Sequence, residues 1–129
     1  MTSEAEVHSL LEKARRDLRS SALLLGDGDS DGAASRAYYA MFHAASAAMA
    51  ARGEACATHA GLIGRFSVLF VQTGLIPKVL GRALNMAEKT RLEADYSRGG
   101  LSSHAASSVL ADAERFVEAV SAQLSLPMD

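Results

Sequence analysis

Apolar residues return every three or four positions along nearly the whole chain, the rhythm of helices with one buried face. From Val7 the stripe passes through Leu10, Leu11, Ala14, Leu18, Ala22 and Leu25. Ser3, with Glu6 three places later, has the pattern of a capping box at its start. Gly26 followed by DGDSDG is expected to end it. A second helix is predicted from near Asp31 to about Arg52. A third runs from about Thr58 to Thr73, with Leu62, Ile63, Phe66, Leu69 and Phe70 on its inner side. Gly74 closes that segment, and Pro77 suits the first turn of a fourth. The fourth carries Val79, Leu80, Ala83, Leu84 and Ala87 and fades around Tyr96, where SRGGLSS reads as a loop. The fifth places Val109, Leu110, Ala113, Phe116, Val117, Val120 and Leu124 on one face, with Pro127 beyond its end. The alternating β-branched runs of strands are missing. Amphipathic segments joined by short loops predict an all-α, up-and-down helical bundle of four to five helices, one domain over residues 1–129.

Composition narrows the class. The 129 residues are 49% hydrophobic but only 5% aromatic, with no Trp and abundant alanine, which favours helices packed through small side chains. A formal net charge of −2 removes any global basic character, so nucleic-acid binding has to rest on particular residues. One cysteine, Cys56, excludes an internal disulfide and fits a reducing compartment. The N-terminus is charged and amphipathic, unlike a signal peptide. The most apolar run, Leu62 to Pro77, is broken by Arg65 and Gln72 and is too short to span a bilayer. A cytoplasmic protein without a membrane partner is expected. His8, His59, His104 and Cys56 are scattered without ligand spacing, and no Glu-x-x-His pair is present. Neither a metal nor another cofactor is therefore expected.

The second segment departs from the rest. In ASRAYYAMFHAA, Arg36 and His43 are seven residues apart, which on a helix leaves them about 20° apart around the axis and roughly 10.5 Å apart along it. Ala33, Tyr39, Ala40, Ala47 and Ala50 share their side; Ala34, Tyr38, Met41, Phe42, Ala45 and Met49 form the opposite, core-facing side. A solvated face would carry several Lys and Glu, and this one has none. The stripe is expected to be covered, with a second subunit as the cover. Two readings stand side by side. In one, His43 is a hydrogen-bonded core histidine and Arg36 an ion pair with an acid on a neighbouring helix. In the other, the guanidinium fork holds phosphate oxygens and the imidazole moves protons.

SRAYYAMFHAA resembles the core of HEPN-domain proteins, whose signature is an arginine, four to six residues and a histidine; here it reads Arg36, six residues, His43. RLEADY, Arg91 to Tyr96, is similar to the Arg-x-x-Ala-Asp-Tyr segment before the last helix of small stand-alone members. The resemblance extends over nearly the whole chain. It implies a helical bundle that dimerises, setting the motifs of two subunits around one cleft. It also implies a metal-independent endoribonuclease, the toxin half of a module with a minimal nucleotidyltransferase antitoxin. By this resemblance His43 would be the acid/base for attack of the ribose 2′-OH, and Arg36 would hold the phosphate. The products would be a 2′,3′-cyclic phosphate and a free 5′-OH. Tyr39 and Tyr96 would stack on bases or hydrogen-bond near the cleft, or be buried tyrosines with satisfied hydroxyls. Asp95 would orient Arg36 or His43, or serve as a cap. Arg91, Arg98 and Lys89, like Lys78 and Arg82, read by default as solvated charges.

Two departures bear on function. Many catalytic members have a polar residue directly after the arginine, where this chain has Ala37. Toxins silenced by adenylylation carry a tyrosine two places after the histidine, where this chain has Ala45, so that mode of control is not carried over. The alternative to the nuclease is a catalytically weak or inactive dimer that binds nucleotide or RNA and partners a nucleotidyltransferase. A plain scaffold with Arg36 and His43 as internal polar groups is the third reading.

Overall fold

The computed structural model describes residues 4–96 and 99–125. Among these there is no strand. The helices are α1 (Glu4–Gly26), α2 (Ser30–Ala51), α3 (His59–Phe66), α4 (Lys78–Tyr96) and α5 (Ser103–Leu124), with a π-helical stretch, Ser67–Val71, continuing α3. Ser3, Arg98 and Pro127, each used in the sequence reading, lie outside the described residues. No helix among the described residues is long and apolar enough to cross a membrane.

Helix α2 is the axle of the bundle, packing on α1, α3, α4 and α5. Twelve of its 22 residues are buried, nine of them alanine. Helix axes approach as closely as the intervening side chains permit, so an alanine surface lets four neighbours crowd around one helix. The bulk is supplied around it by Tyr38, Met41 and Met49 of α2 itself and by Phe66, Phe70, Ile76, Leu84, Phe116 and Val120. Phe66 stacks on Phe70 at 5.1 Å between ring centroids and tilts against Phe116 at 5.5 Å.

Local chemistry sets the ends. The reversal after α1 is made by Gly28, whose φ of 89° is left-handed and suits a residue without a Cβ. Gly26 is still helical. Asp29 then caps α2 by accepting from the Gly32 amide at 2.8 Å. Thr58 caps α3 through the Gly61 amide at 2.9 Å, and Ser102 caps α5 through the Ala105 amide at 3.0 Å. Asp31 of α2 accepts from the Leu101 amide at 2.7 Å, fastening the loop before α5 to the start of α2.

The third segment is not one uniform helix. The amide of Gln72 donates to the Ser67 carbonyl at 2.8 Å, an i→i+5 bond, and this wider turn lets adjacent Phe70 and Val71 both face the core. Gly81 of α4 accommodates the close approach: a Cβ there would meet both Val71 methyls at 3.0 Å. On α1, the predicted stripe holds at Leu11 and Ala14 but not at Ala22, which is exposed. The buried places are taken instead by Asp17 and Ser21.

Candidate functional site: a shared carboxylate and an aromatic platform

The cover over the Arg36/His43 stripe is α1 of the same chain, which corrects the expected second subunit. Ser21 of α1 donates from Oγ to the Ala33 carbonyl at 2.7 Å, locking the two helices together at the head of the stripe. One turn further along α1, Asp17 enters between Arg36 and His43. Its Oδ1 accepts from Nη1 of Arg36 at 3.0 Å, and its Oδ2 accepts from Nδ1 of His43 at 2.7 Å. The gap along the helix that the sequence leaves for an anion is thus bridged by this protein's own carboxylate.

Burial grades the three groups. Side-chain exposure is 8% for Asp17, 14% for His43 and 39% for Arg36. A charge as enclosed as Asp17 is tolerable only when paired and hydrogen-bonded, and here both oxygens are engaged. The structural reading of the motif is therefore met: Arg36 makes an inter-helix ion pair and His43 is hydrogen-bonded. Capacity is left over in both. Because a carboxylate oxygen only accepts, the bond places a proton on Nδ1 of His43 and leaves Nε2 outside the pair. Among the described residues Nε2 has no partner, and Arg36 spends only Nη1 on Asp17.

Tyr39 is the hub of the remaining geometry. The Arg36 guanidinium carbon stands over its ring at 4.9 Å from the centroid, and the His43 ring lies 6.0 Å away, tilted by 32°. Arg91 reaches the same ring from α4 at 5.6 Å and lies over Tyr38 at 4.9 Å. This changes the default reading of Arg91 as a solvated helix end. Lys78, Arg82 and Lys89 are exposed, as that reading has them. His59, set aside in the sequence for want of a ligand pattern, begins α3, stacks on Phe42 at 4.1 Å and shares a hydrogen bond of 2.9 Å with the Tyr38 hydroxyl. Burial, reinforced by the negative charge of Glu88, pushes the Tyr38 phenol above its ordinary value, so it keeps its proton.

Arg36, Tyr39 and His43 therefore come together, and among the described residues Asp95 is linked to them through Arg91, whose Nη1 donates to its Oδ2 at 3.3 Å. Tyr96 is exposed and makes no contact with Arg36 or His43 among the described residues. No group of three or more His, Cys, Asp or Glu among the described residues is placed to hold a metal ion. Asp17 and His59 were missed by sequence reasoning, and Arg91, although it opens the RLEADY segment, reads there only as a solvated charge. For Asp17 a signal existed: an acid at a position in phase with Leu11 and Ala14 on the apolar stripe.

Fold and site together define an all-helical bundle carrying an arginine–histidine pair on its central helix. The HEPN-domain family model matches residues 7–123, and the chain belongs to that family. It is 32% identical over 115 residues to a Methanocaldococcus jannaschii protein named "Putative toxin MJ0605", an alignment covering 89% of this chain and 86% of that protein. A UPF0332 protein of Gloeobacter violaceus is 32% identical over 117 residues, covering 88% and 91% of the two chains. The crystal structure of TT1696 from Thermus thermophilus shares the fold, with a TM-score of 0.78 at 23% identity over 95% of this chain and 99% of that one.

Proposed function

We propose that this protein is a metal-independent endoribonuclease of the HEPN type, acting as the toxin of a toxin–antitoxin pair. The observation that carries the reading is the Asp17–His43 hydrogen bond, which holds the imidazole with Nε2 unspent beside an arginine that still has free donors. In the proposed reaction Nε2 of His43 takes the proton of a ribose 2′-OH. The 2′ oxygen bonds to the adjacent phosphorus, and the bond from phosphorus to the 5′ oxygen breaks. That oxygen takes up a proton from water, giving a 2′,3′-cyclic phosphate and a 5′-OH. The outward donors of Arg36 balance the charge that builds on the phosphate oxygens. Family membership supports a dimer with two such sites around one cleft, and the naming of the Methanocaldococcus relative supports the toxin role. The antitoxin proposed is a minimal nucleotidyltransferase.

A second reading, a catalytically weak dimer that binds RNA or nucleotide beside the same partner, is favoured by one observation. Ala37, next to Arg36, is fully buried in the core and brings no polar atom to the site. The two readings part in a cleavage assay on purified protein with RNA in EDTA. The nuclease reading expects cutting that His43→Ala and Arg36→Ala abolish; RNA left equally intact by all three proteins contradicts it. Gel filtration tests the shared cleft, which a strict monomer would rule out.

A further inference from the structure

The site holds a second arginine that the reaction above does not use. Arg91 comes from α4, yet its guanidinium lies against the rings of Tyr38 and Tyr39, the latter being the ring that also carries Arg36. Two guanidinium carbons at 4.9 and 5.6 Å from one centroid can be no further apart than those distances laid end to end. Two like charges this close, with side chains only 39% and 16% exposed, repel each other more than they would in water. Each has an acid behind it, but the acids lie on different elements, Asp17 on α1 and Asp95 at the end of α4.

The hydrogen-bonding capacity of Arg91 is largely unspent. Of the five N–H donors of a guanidinium, only Nη1 finds a partner among the described residues, at 3.3 Å from the exposed carboxylate of Asp95. Its Nε is buried and has no hydrogen-bond partner among the described residues. A buried donor without a partner is unfavourable, and a structural prop at this place could be any long apolar side chain. What the two tyrosines achieve is to hold the planar group in one orientation before anything binds, so little freedom is lost when an anion arrives. Tyr39, its ring taken up by guanidinium groups, serves as the platform that aims both.

We propose that Arg91 is a second phosphate anchor of this site, so that Arg36 and Arg91 hold neighbouring phosphates of one RNA strand across Tyr39. The proposal rests on the RNA-directed reading of the Arg36/His43 site, and it fails or stands separately from cleavage. The probe is a labelled hexanucleotide RNA with every 2′-OH methylated, which cannot undergo the cleavage reaction. Its affinity is measured by fluorescence anisotropy between about 50 and 200 mM salt for wild type, Arg91→Gln and Arg91→Lys. Losing one phosphate contact to a single strand should lower the slope of log K against log salt by about 0.7 in Arg91→Gln. Its affinity at the lower salt should fall by about tenfold. Arg91→Lys, which keeps the charge and loses the fork, should keep the slope and lose affinity several-fold. An Arg91→Gln protein with wild-type circular dichroism and melting temperature but an unchanged slope overturns the anchor. If Arg91→Gln does not fold, Arg91→Lys decides: affinity equal to wild type overturns it. A wild type that does not bind the probe overturns it too. Arg91-dependent binding by a wild type that leaves ordinary RNA uncut sinks the nuclease reading and keeps the anchor.

Discussion

Asp17 on α1 and His43 on α2, 26 residues apart in sequence, share a hydrogen bond of 2.7 Å from Nδ1 to Oδ2. The same carboxylate takes Arg36 with its other oxygen. A two-turn offset along α2 is thereby closed by a third residue from a different helix, and among the described residues the imidazole's Nε2 has no partner.

Asp17→Asn tests this link first. The amide keeps the size of the side chain but loses the charge, and it no longer enforces the proton on Nδ1. Cleavage should drop by roughly a hundredfold, the scale of one positioned acid/base group. Stability should fall by about 1–3 kcal/mol, read by urea unfolding, for a buried network left partly unsatisfied. The Arg36 half of that loss is small, because its side chain stands more than a third in water. Unchanged cleavage would remove Asp17 from the mechanism.

The covering of the stripe by α1 gives a separate prediction. Ala40 is fully buried on the same side of α2 as Arg36 and His43. Ala40→Leu inserts bulk between helices that already touch, and should cost about 1–3 kcal/mol. Because the cover belongs to the same chain, the loss in melting temperature should not depend on protein concentration. A loss that vanishes as the protein is concentrated would restore the second subunit as the cover.

Tyr38 predicts an alkaline limb in the stability curve. The folded protein holds the phenol proton to higher pH than the unfolded chain does, chiefly through burial. As pH rises past the ordinary phenol value, about 10, the unfolded state sheds its proton first and binds fewer protons, so stability declines from there upward. Tyr38→Phe removes this contribution, and also the bond to His59, worth about 1 kcal/mol. The variant should be slightly less stable at neutral pH and decline less steeply above about pH 10, as followed by urea midpoints across pH. Parallel curves for the two proteins would show that Tyr38 does not carry the effect.

How legible was all this in the sequence? The helices were, because their apolar positions repeat at helical spacing and Gly74 and Pro77 punctuate them; the caps Asp29, Thr58 and Ser102 emerged only with the structure. The arginine–histidine pair was, because two polar side chains in an alanine helix break the pattern. The cover was misread because an alanine surface specifies only close approach, not which helix approaches. Asp17 was hidden by the habit of reading acids as solvent-facing; only its phase with Leu11 and Ala14 betrays it. Arg91 and His59 depended on tertiary contacts with Tyr38, Tyr39 and Phe42 from segments far along the chain, which no local pattern encodes. The π turn at Ser67–Val71 likewise follows from burying both Phe70 and Val71, the latter against Gly81 of α4, not from a propensity of SVLFV.

The central claim is most directly tested by the ends of the RNA fragments made in EDTA. Purified protein should cut RNA into products with 2′,3′-cyclic phosphate and 5′-OH termini. A single 2′-deoxy substitution at the cut site should block it, and His43→Ala should lower the rate by at least about a hundredfold. RNA that stays whole with wild-type protein, or cutting that continues undiminished in His43→Ala, would contradict the account.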